Sequence, residues 1–230
     1  MQFSGFQKLT LLDYPEKVAC TLFTAGCNFL CPFCHNASLV TNIDNTVIFE
    51  QDDILDFLKK RQGVLEGVCI TGGEPLLHKD LPDFIKRVKE LNFNVKLDTN
   101  GYLTDKLIDL VENKLIDYVA MDIKNSKEKY SSTINIENFD TNNIDKSINF
   151  LINSNIDYEF RTTVVKEFHS IEDIENISLW IKGAKKYFLQ NFVDSGNLIK
   201  DGLNAHSPEI IYNMRDIASK NIQYVGIRGI

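Results

Sequence analysis

Three thiols fall within eight residues, Cys27, Cys31 and Cys34, in the run Gly26-Cys27-Asn28-Phe29-Leu30-Cys31-Pro32-Phe33-Cys34-His35-Asn36. The spacing is C-x3-C-x2-C, and no fourth cysteine stands nearby. Three thiolates can hold three irons of a cubic [4Fe–4S] cluster and leave the fourth iron open to a ligand from outside the chain. A structural metal site usually fills every position, whereas a catalytic one keeps a position free. The alternative is a structural zinc knuckle. His35 is too close to Cys34 to share a metal comfortably, but His78, His169 or His206 could complete four zinc ligands. The cysteines alone leave both readings open. Cys20 and Cys69 stand singly in apolar runs and read as small buried residues.

Further polar segments recur at the ends of apolar runs. Thr71-Gly72-Gly73-Glu74-Pro75 is either a plain turn or a backbone cradle, since glycine lets the chain approach a ligand closely. Asp98-Thr99-Asn100-Gly101 reads as an Asx turn and helix cap, or as a ligand-binding corner. Asp122-Ile123-Lys124 reads at its plainest as a surface ion pair. Arg161 lies inside an apolar run and needs an anionic partner there. A salt bridge and a bidentate ligand carboxylate both meet that need.

The elements that must position these groups are legible from periodicity. Apolar, β-branched runs predict strands over 18–23, 68–71, 95–98, 118–123, 158–164 and 187–192, with a seventh over 222–225. Apolar residues at helical spacing predict helices over 51–60, 81–91, 103–111, 143–152, 171–181 and 208–219. Alternating strands and helices imply parallel βα units and an α/β fold. The stretches 42–46, 125–143 and 194–207 are expected as loops. Gly26, Asn28 and Pro32 disfavour a regular helix around the cysteines. Apart from Arg161, the candidates fall at or just beyond the C-terminal end of an expected strand, the face where βα-barrel sites assemble.

The bulk properties narrow the class. The chain has 230 residues, 43% hydrophobic and 25% charged, which suits one globular domain with a real core. A net charge of −7 gives no overall basic footprint for nucleic acid. No run is long and apolar enough to span a bilayer, and no charged start leads into an apolar stretch. A reducing cytoplasm, where free thiols persist, is the expected compartment.

The cysteine motif, with aromatic Phe33 before its last thiol, resembles the signature of radical S-adenosylmethionine (SAM) enzymes. The wider run "GCNFLCPFCHN" resembles the glycyl-radical-enzyme activases. The opening "GFQKLTLLDYP" is similar to the activating proteins of anaerobic ribonucleoside-triphosphate reductase, whose relatives include the pyruvate formate-lyase activases. The resemblance implies a single radical SAM core domain over 1–230, folded as a partial (β/α)6 TIM-like barrel. It implies an oxidoreductase that cleaves SAM reductively with a [4Fe–4S] cluster on Cys27, Cys31 and Cys34. A 5′-deoxyadenosyl radical would then take hydrogen from a glycine Cα of a partner enzyme.

The same resemblance assigns a SAM pocket to Phe33, Gly72, Gly73, Glu74, Asp98, Thr99, Asp122, Lys124 and Arg161. It places a monovalent cation on Asp98, Thr99, Asp122 and the Ala120 carbonyl, where hard oxygen ligands suit such an ion. Lys124 would meet the methionyl carboxylate or the ribose. His35 and Asn36 fit the activase pattern "CHN". At Gln190 and Asn191 the pattern carries a histidine that this chain lacks. The implied partners are a glycyl radical enzyme, foremost anaerobic ribonucleotide reductase, and a reductant such as flavodoxin or ferredoxin, with no nucleic acid or membrane.

Three other readings stay open: an activase of pyruvate formate-lyase or another glycyl radical enzyme, a radical SAM enzyme for a small molecule or short peptide, and a non-catalytic zinc or electron-transfer module. Protein purified without oxygen is expected to carry iron and acid-labile sulfide. One zinc per chain with no sulfide would select the module instead.

Overall fold

The structure is a computed structural model that describes residues 1–45 and 47–230. Thr46, the last residue of the first expected loop, lies outside the described residues. The chain divides into two compact units: residues 1–28, 38–99 and 103–119, and residues 29–37, 100–102 and 120–230.

The first unit contains strands β1 (Gln2–Phe3), β2 (Gly5–Thr10), β3 (Ala19–Thr24), β4 (Phe49–Glu50), β5 (Gly67–Gly72) and β6 (Asn94–Thr99). Its helices are α1 (Ala37–Thr41, whose first residue falls in the second unit), α2 (Gln51–Lys59), α3 (Leu81–Glu90) and α4 (Thr104–Glu112). β3 pairs antiparallel with β2 and parallel with β5, and β5 pairs parallel with β6. The first four residues of both β3 and β5 are buried. Such continuous burial is what parallel strands covered on both faces require. α3 buries Leu81, Phe84, Ile85 and Val88 along one stripe and packs on α2 and β6. The register sets Thr24 opposite Gly72, so β3 and β5 end together, and sets Cys69 opposite Lys96.

Strand β7 (Tyr118–Asp122) carries the chain from the first unit into the second. There follow α5 (Lys127–Ile134), α6 (Asn142–Asn153), β8 (Asp157–Val164), α7 (Ile171–Trp180), β9 (Lys186–Asn191), α8 (Pro208–Ala218) and β10 (Tyr224–Arg228). β8, β9 and β10 pair parallel in that order. Beyond the end of β7, the Ile123 N–H donates to the Arg161 carbonyl of β8 at 2.8 Å. α7 starts on a capping box between Ser170 and Asp173 and packs against α8.

The six expected helices and the first six expected strands form within a residue or two of their expected bounds. The seventh strand begins at Tyr224 rather than at 222 and runs to Arg228. One expectation is corrected. The stretch 125–143 is not a loop throughout: α5 occupies Lys127–Ile134, and α6 already begins at Asn142. Ser131, Ser132 and Thr133 are weak helix formers, so propensity hides α5. Burial of Tyr130, Thr133 and Ile134 on one face stabilises it. β2, an antiparallel addition beside β3, was also not expected. No helix among the described residues is long and apolar enough to cross a membrane.

Candidate functional site

In the first unit, Cys27 follows β3 on a loop clamped by backbone hydrogen bonds. The Gly26 N–H donates to the Leu39 carbonyl at 2.8 Å. The turn after β5 then reaches back: the Gly73 N–H donates to the Thr24 carbonyl and the Glu74 N–H to the Gly26 carbonyl, both at 2.8 Å. Gly72 has φ +108°, and a Cβ there would lie 2.5 Å from Thr24 backbone atoms. A Cβ on Gly73 would lie 1.9 Å from the Gly26 carbonyl oxygen. Both glycines are therefore required by a close backbone approach. Glu74 is buried, and its Oε1 accepts from the Leu76 N–H at 3.2 Å and from the Thr99 hydroxyl at 2.8 Å.

At the end of β6, the Lys96 ammonium donates to Asp98 Oδ1 and to Cys69 Sγ, the latter at 3.7 Å. Lys96 is 1% exposed and Thr99 3%. Sequence reasoning missed Lys96. The available signal was a lysine two residues before an aspartate within an apolar strand, which places both on one face.

The second unit holds the other two motif cysteines. Cys31 is buried, and its carbonyl accepts the Cys34 N–H at 3.0 Å in a turn. The loop is pinned at Leu30, whose N–H donates to the Ile134 carbonyl, and at Pro32, whose carbonyl accepts the Lys200 N–H. Phe29 packs among Tyr102, Tyr130 and Phe139. Phe33 is buried against Phe168 and His169. His35 sets Nε2 2.9 Å from the Val193 carbonyl and stacks on Phe192. Burial pushes the Cys34 thiol up, so its thiolate needs a cation or metal beside it.

Asp122, Lys124 and Arg161 come together in the same unit. Lys124 Nζ lies 2.9 Å from Asp122 Oδ2, and Arg161 Nε donates to Asp122 Oδ1 at 2.9 Å. Burial alone would raise the Asp122 pKa, but the Arg161 and Lys124 charges outweigh it and bring it down to about 2. Burial alone would lower Lys124. The negative charges of Asp122 and Cys31 reverse that and hold it firmly protonated. The Ala120 residue is buried in β7. Gln190 and Asn191 end β9, where Asn191 Nδ2 donates to the His206 carbonyl at 3.1 Å.

Each histidine weighed as a zinc ligand has its Nε2 on a backbone carbonyl: His78 on Ala25, His169 on Lys124 and His206 on His169. His169 also accepts the Val165 N–H at Nδ1, which assigns the neutral form with its proton on Nε2. Burial lowers its pKa to about 4.

Residues 21–181, more than half of the chain, match the radical SAM superfamily, and the chain belongs to that superfamily. A protein of Methanocaldococcus jannaschii, provisionally named a glycyl-radical enzyme activating enzyme, is 37% identical over 195 residues, covering 82% of this chain and 79% of its own. A second protein of that organism with the same provisional name is 26% identical over 232 residues, covering 97% and 85%. A solved domain of pyruvate-formate lyase-activating enzyme from Bacteroides vulgatus matches 71% of this chain and 99% of its own, with a TM-score of 0.58 at 19% identity. SuiB of Streptococcus suis, solved with its precursor peptide SuiA, gives a TM-score of 0.70 over 90% of this chain and 47% of its own, at 14% identity. These likenesses carry the fold, the mostly parallel α/β radical SAM type expected from the sequence.

Membership implies a [4Fe–4S] cluster and SAM. The residues fit both. Three thiols without a fourth in the loop suit a cluster with one open iron. For SAM, Lys124 is held protonated and is 19% exposed, which offers a carboxylate a cation. Among the described residues no three His, Cys, Asp or Glu side chains converge closely enough to hold a single metal ion directly. A cubane does not require such convergence, because each of three irons takes its own thiolate.

Two outcomes are expected. Gly73→Ala must displace the Gly26 backbone next to Cys27, and should weaken iron retention roughly tenfold or more, read as iron and sulfide after anaerobic reconstitution. Wild-type iron content would overturn this account of the turn. His169 has a folded pKa below its unfolded value of 6.5, so its contribution is full above pH 6.5 and is lost as pH falls towards 4. That loss should reach about 3 kcal/mol. It is measurable by urea denaturation of cluster-free protein, and should shrink in His169→Gln. An unchanged pH dependence in the variant would refute it.

Proposed function

We propose that this chain is a glycyl-radical-enzyme activase, and that its partner is anaerobic ribonucleoside-triphosphate reductase. The observation that carries the first part is the 37% identity, over most of both chains, to the provisionally named activating enzyme of M. jannaschii. The choice of partner rests on the opening run "GFQKLTLLDYP".

In this reading the whole span 1–230 works as one radical SAM core. Cys27, Cys31 and Cys34 would hold the cluster and leave one iron open to SAM. When bound, cluster and SAM supply a carbon-centred radical able to take hydrogen from a glycine Cα. The chain's own residues bind and orient. The Gly72-Gly73-Glu74 backbone would meet the SAM amino group. Lys124, held protonated by its charged neighbours, meets the methionyl carboxylate or the ribose hydroxyls. Asp122, itself paired with Arg161, holds Lys124, and the buried Phe33 would keep water from Cys34. A cytoplasmic flavodoxin or ferredoxin supplies the electron.

The test is to mix the reduced protein and SAM with each candidate partner in the absence of oxygen. A glycyl EPR doublet should form in the ribonucleotide reductase. A doublet from pyruvate formate-lyase alone would overturn the partner assignment. In the same assay Cys31→Ala should form no 5′-deoxyadenosine, and undiminished formation would sink the radical assignment itself.

A further inference from the structure

Lys96 is among the largest fully buried side chains of the chain, and it is charged. It lies in β6, opposite Cys69 of β5. Asp98 is two residues further along the same strand, so both side chains leave the sheet on one face. The Lys96 side chain runs along that face until its ammonium reaches Asp98 Oδ1, with Cys69 Sγ at 3.7 Å on its flank. The side chains of Lys96 and Asp98 are 2% and 13% exposed. An ammonium so enclosed persists only when it is paired. The neighbouring Thr99 hydroxyl is directed to Glu74 Oε1 at 2.8 Å.

This arrangement disagrees with the exchangeable cation that the resemblance places on Asp98, Thr99, Asp122 and the Ala120 carbonyl. Asp98 carries the Lys96 ammonium. In the second unit Asp122 carries Lys124 and Arg161. Each expected carboxylate ligand already has a cation covalently tied to the chain, and a free monovalent ion does not fit the donor set as it stands.

We propose that Lys96 is a built-in counter-ion: its ammonium takes the charge role of a monovalent cation at Asp98, and the chain folds and binds SAM without one. Lys96 is thus a positioning residue that acts through Asp98. The inference does not depend on which enzyme the chain activates.

An exchangeable ion that binds only the folded state stabilises it in proportion to its concentration, whereas a tethered one does not. The experiment compares potassium, sodium and choline chloride at equal ionic strength, using holoprotein handled without oxygen. Thermal midpoint and SAM affinity by equilibrium dialysis are both read. Wild type should show the same midpoint in all three salts and a SAM Kd constant within about twofold. Lys96→Met should bind SAM about tenfold more weakly in choline and recover in potassium, as a small ion enters beside the uncovered Asp98. Recovery specific to the small cation distinguishes a charge role from simple packing.

A wild-type midpoint or SAM affinity that rises with potassium overturns the proposal. So does a Lys96→Met variant equal to wild type in every salt. If Lys96→Met does not fold, the wild-type comparison decides alone.

Discussion

The first unit's part of the expected site depends on a backbone approach that tolerates no side chain. The Gly73 and Glu74 N–H groups donate to the carbonyls of Thr24 and Gly26, and Gly72 adopts φ +108° to allow it. These bonds tie the end of β5 to the segment that leads into Cys27. Because Thr24 and Gly72 are already paired in register, the turn has no slack, and Cβ atoms at 72 or 73 would strike backbone rather than flexible side chains. Glu74 extends the tie. Its buried carboxylate caps the short turn at Pro75–Leu77 and accepts the Thr99 hydroxyl, which links the end of β5 to the end of β6. The polar groups expected to face a cofactor are thus first used to hold one another.

The charged groups follow one local rule with two outcomes. Lys96 and Asp98 stand two residues apart, as do Asp122 and Lys124, and alternate residues of an extended chain share a face. Their exposure separates them. The Lys96 side chain is 2% exposed, whereas Lys124 is 19% exposed beside a carboxylate that is 27% exposed. A sealed lysine can only balance a charge. A partly open one, already held protonated, can also meet an incoming carboxylate. Arg161 makes an ion pair through its Nε on Asp122.

Legibility in the sequence tracked the physical origin of each element. β3, β5, β6 and β7 were readable because burial on both faces demands continuous apolar runs, and β8 and β9 from shorter runs of buried apolar residues. β2 was not, since Gln7, Lys8 and Leu9 are all exposed and leave no alternation to see. The thiols, the Gly-Gly turn and the strand-end carboxylates were visible because their residue types are costly elsewhere. Their partners were not. Lys96 reads from sequence as a stray charge in a strand, and His169 reads as a metal ligand until its ring is seen bridging Val165 and Lys124. Which side chain meets which is set by packing that no spacing encodes.

The cysteine loop shows how far this reaches. Its second half is held by contacts within the second unit. The Leu30 N–H is taken by the Ile134 carbonyl, Phe29 is wedged among Tyr102, Tyr130 and Phe139, and Cys34 turns back on Cys31. Ile134 and Tyr130 belong to α5, the helix that propensity conceals. Burial keeps the Cys34 proton in place until a metal displaces it, so loading must release that proton. Cys31 and Cys34, two thirds of the plainest signature in the chain, thus stand on a loop pinned by the helix whose own sequence announces it least.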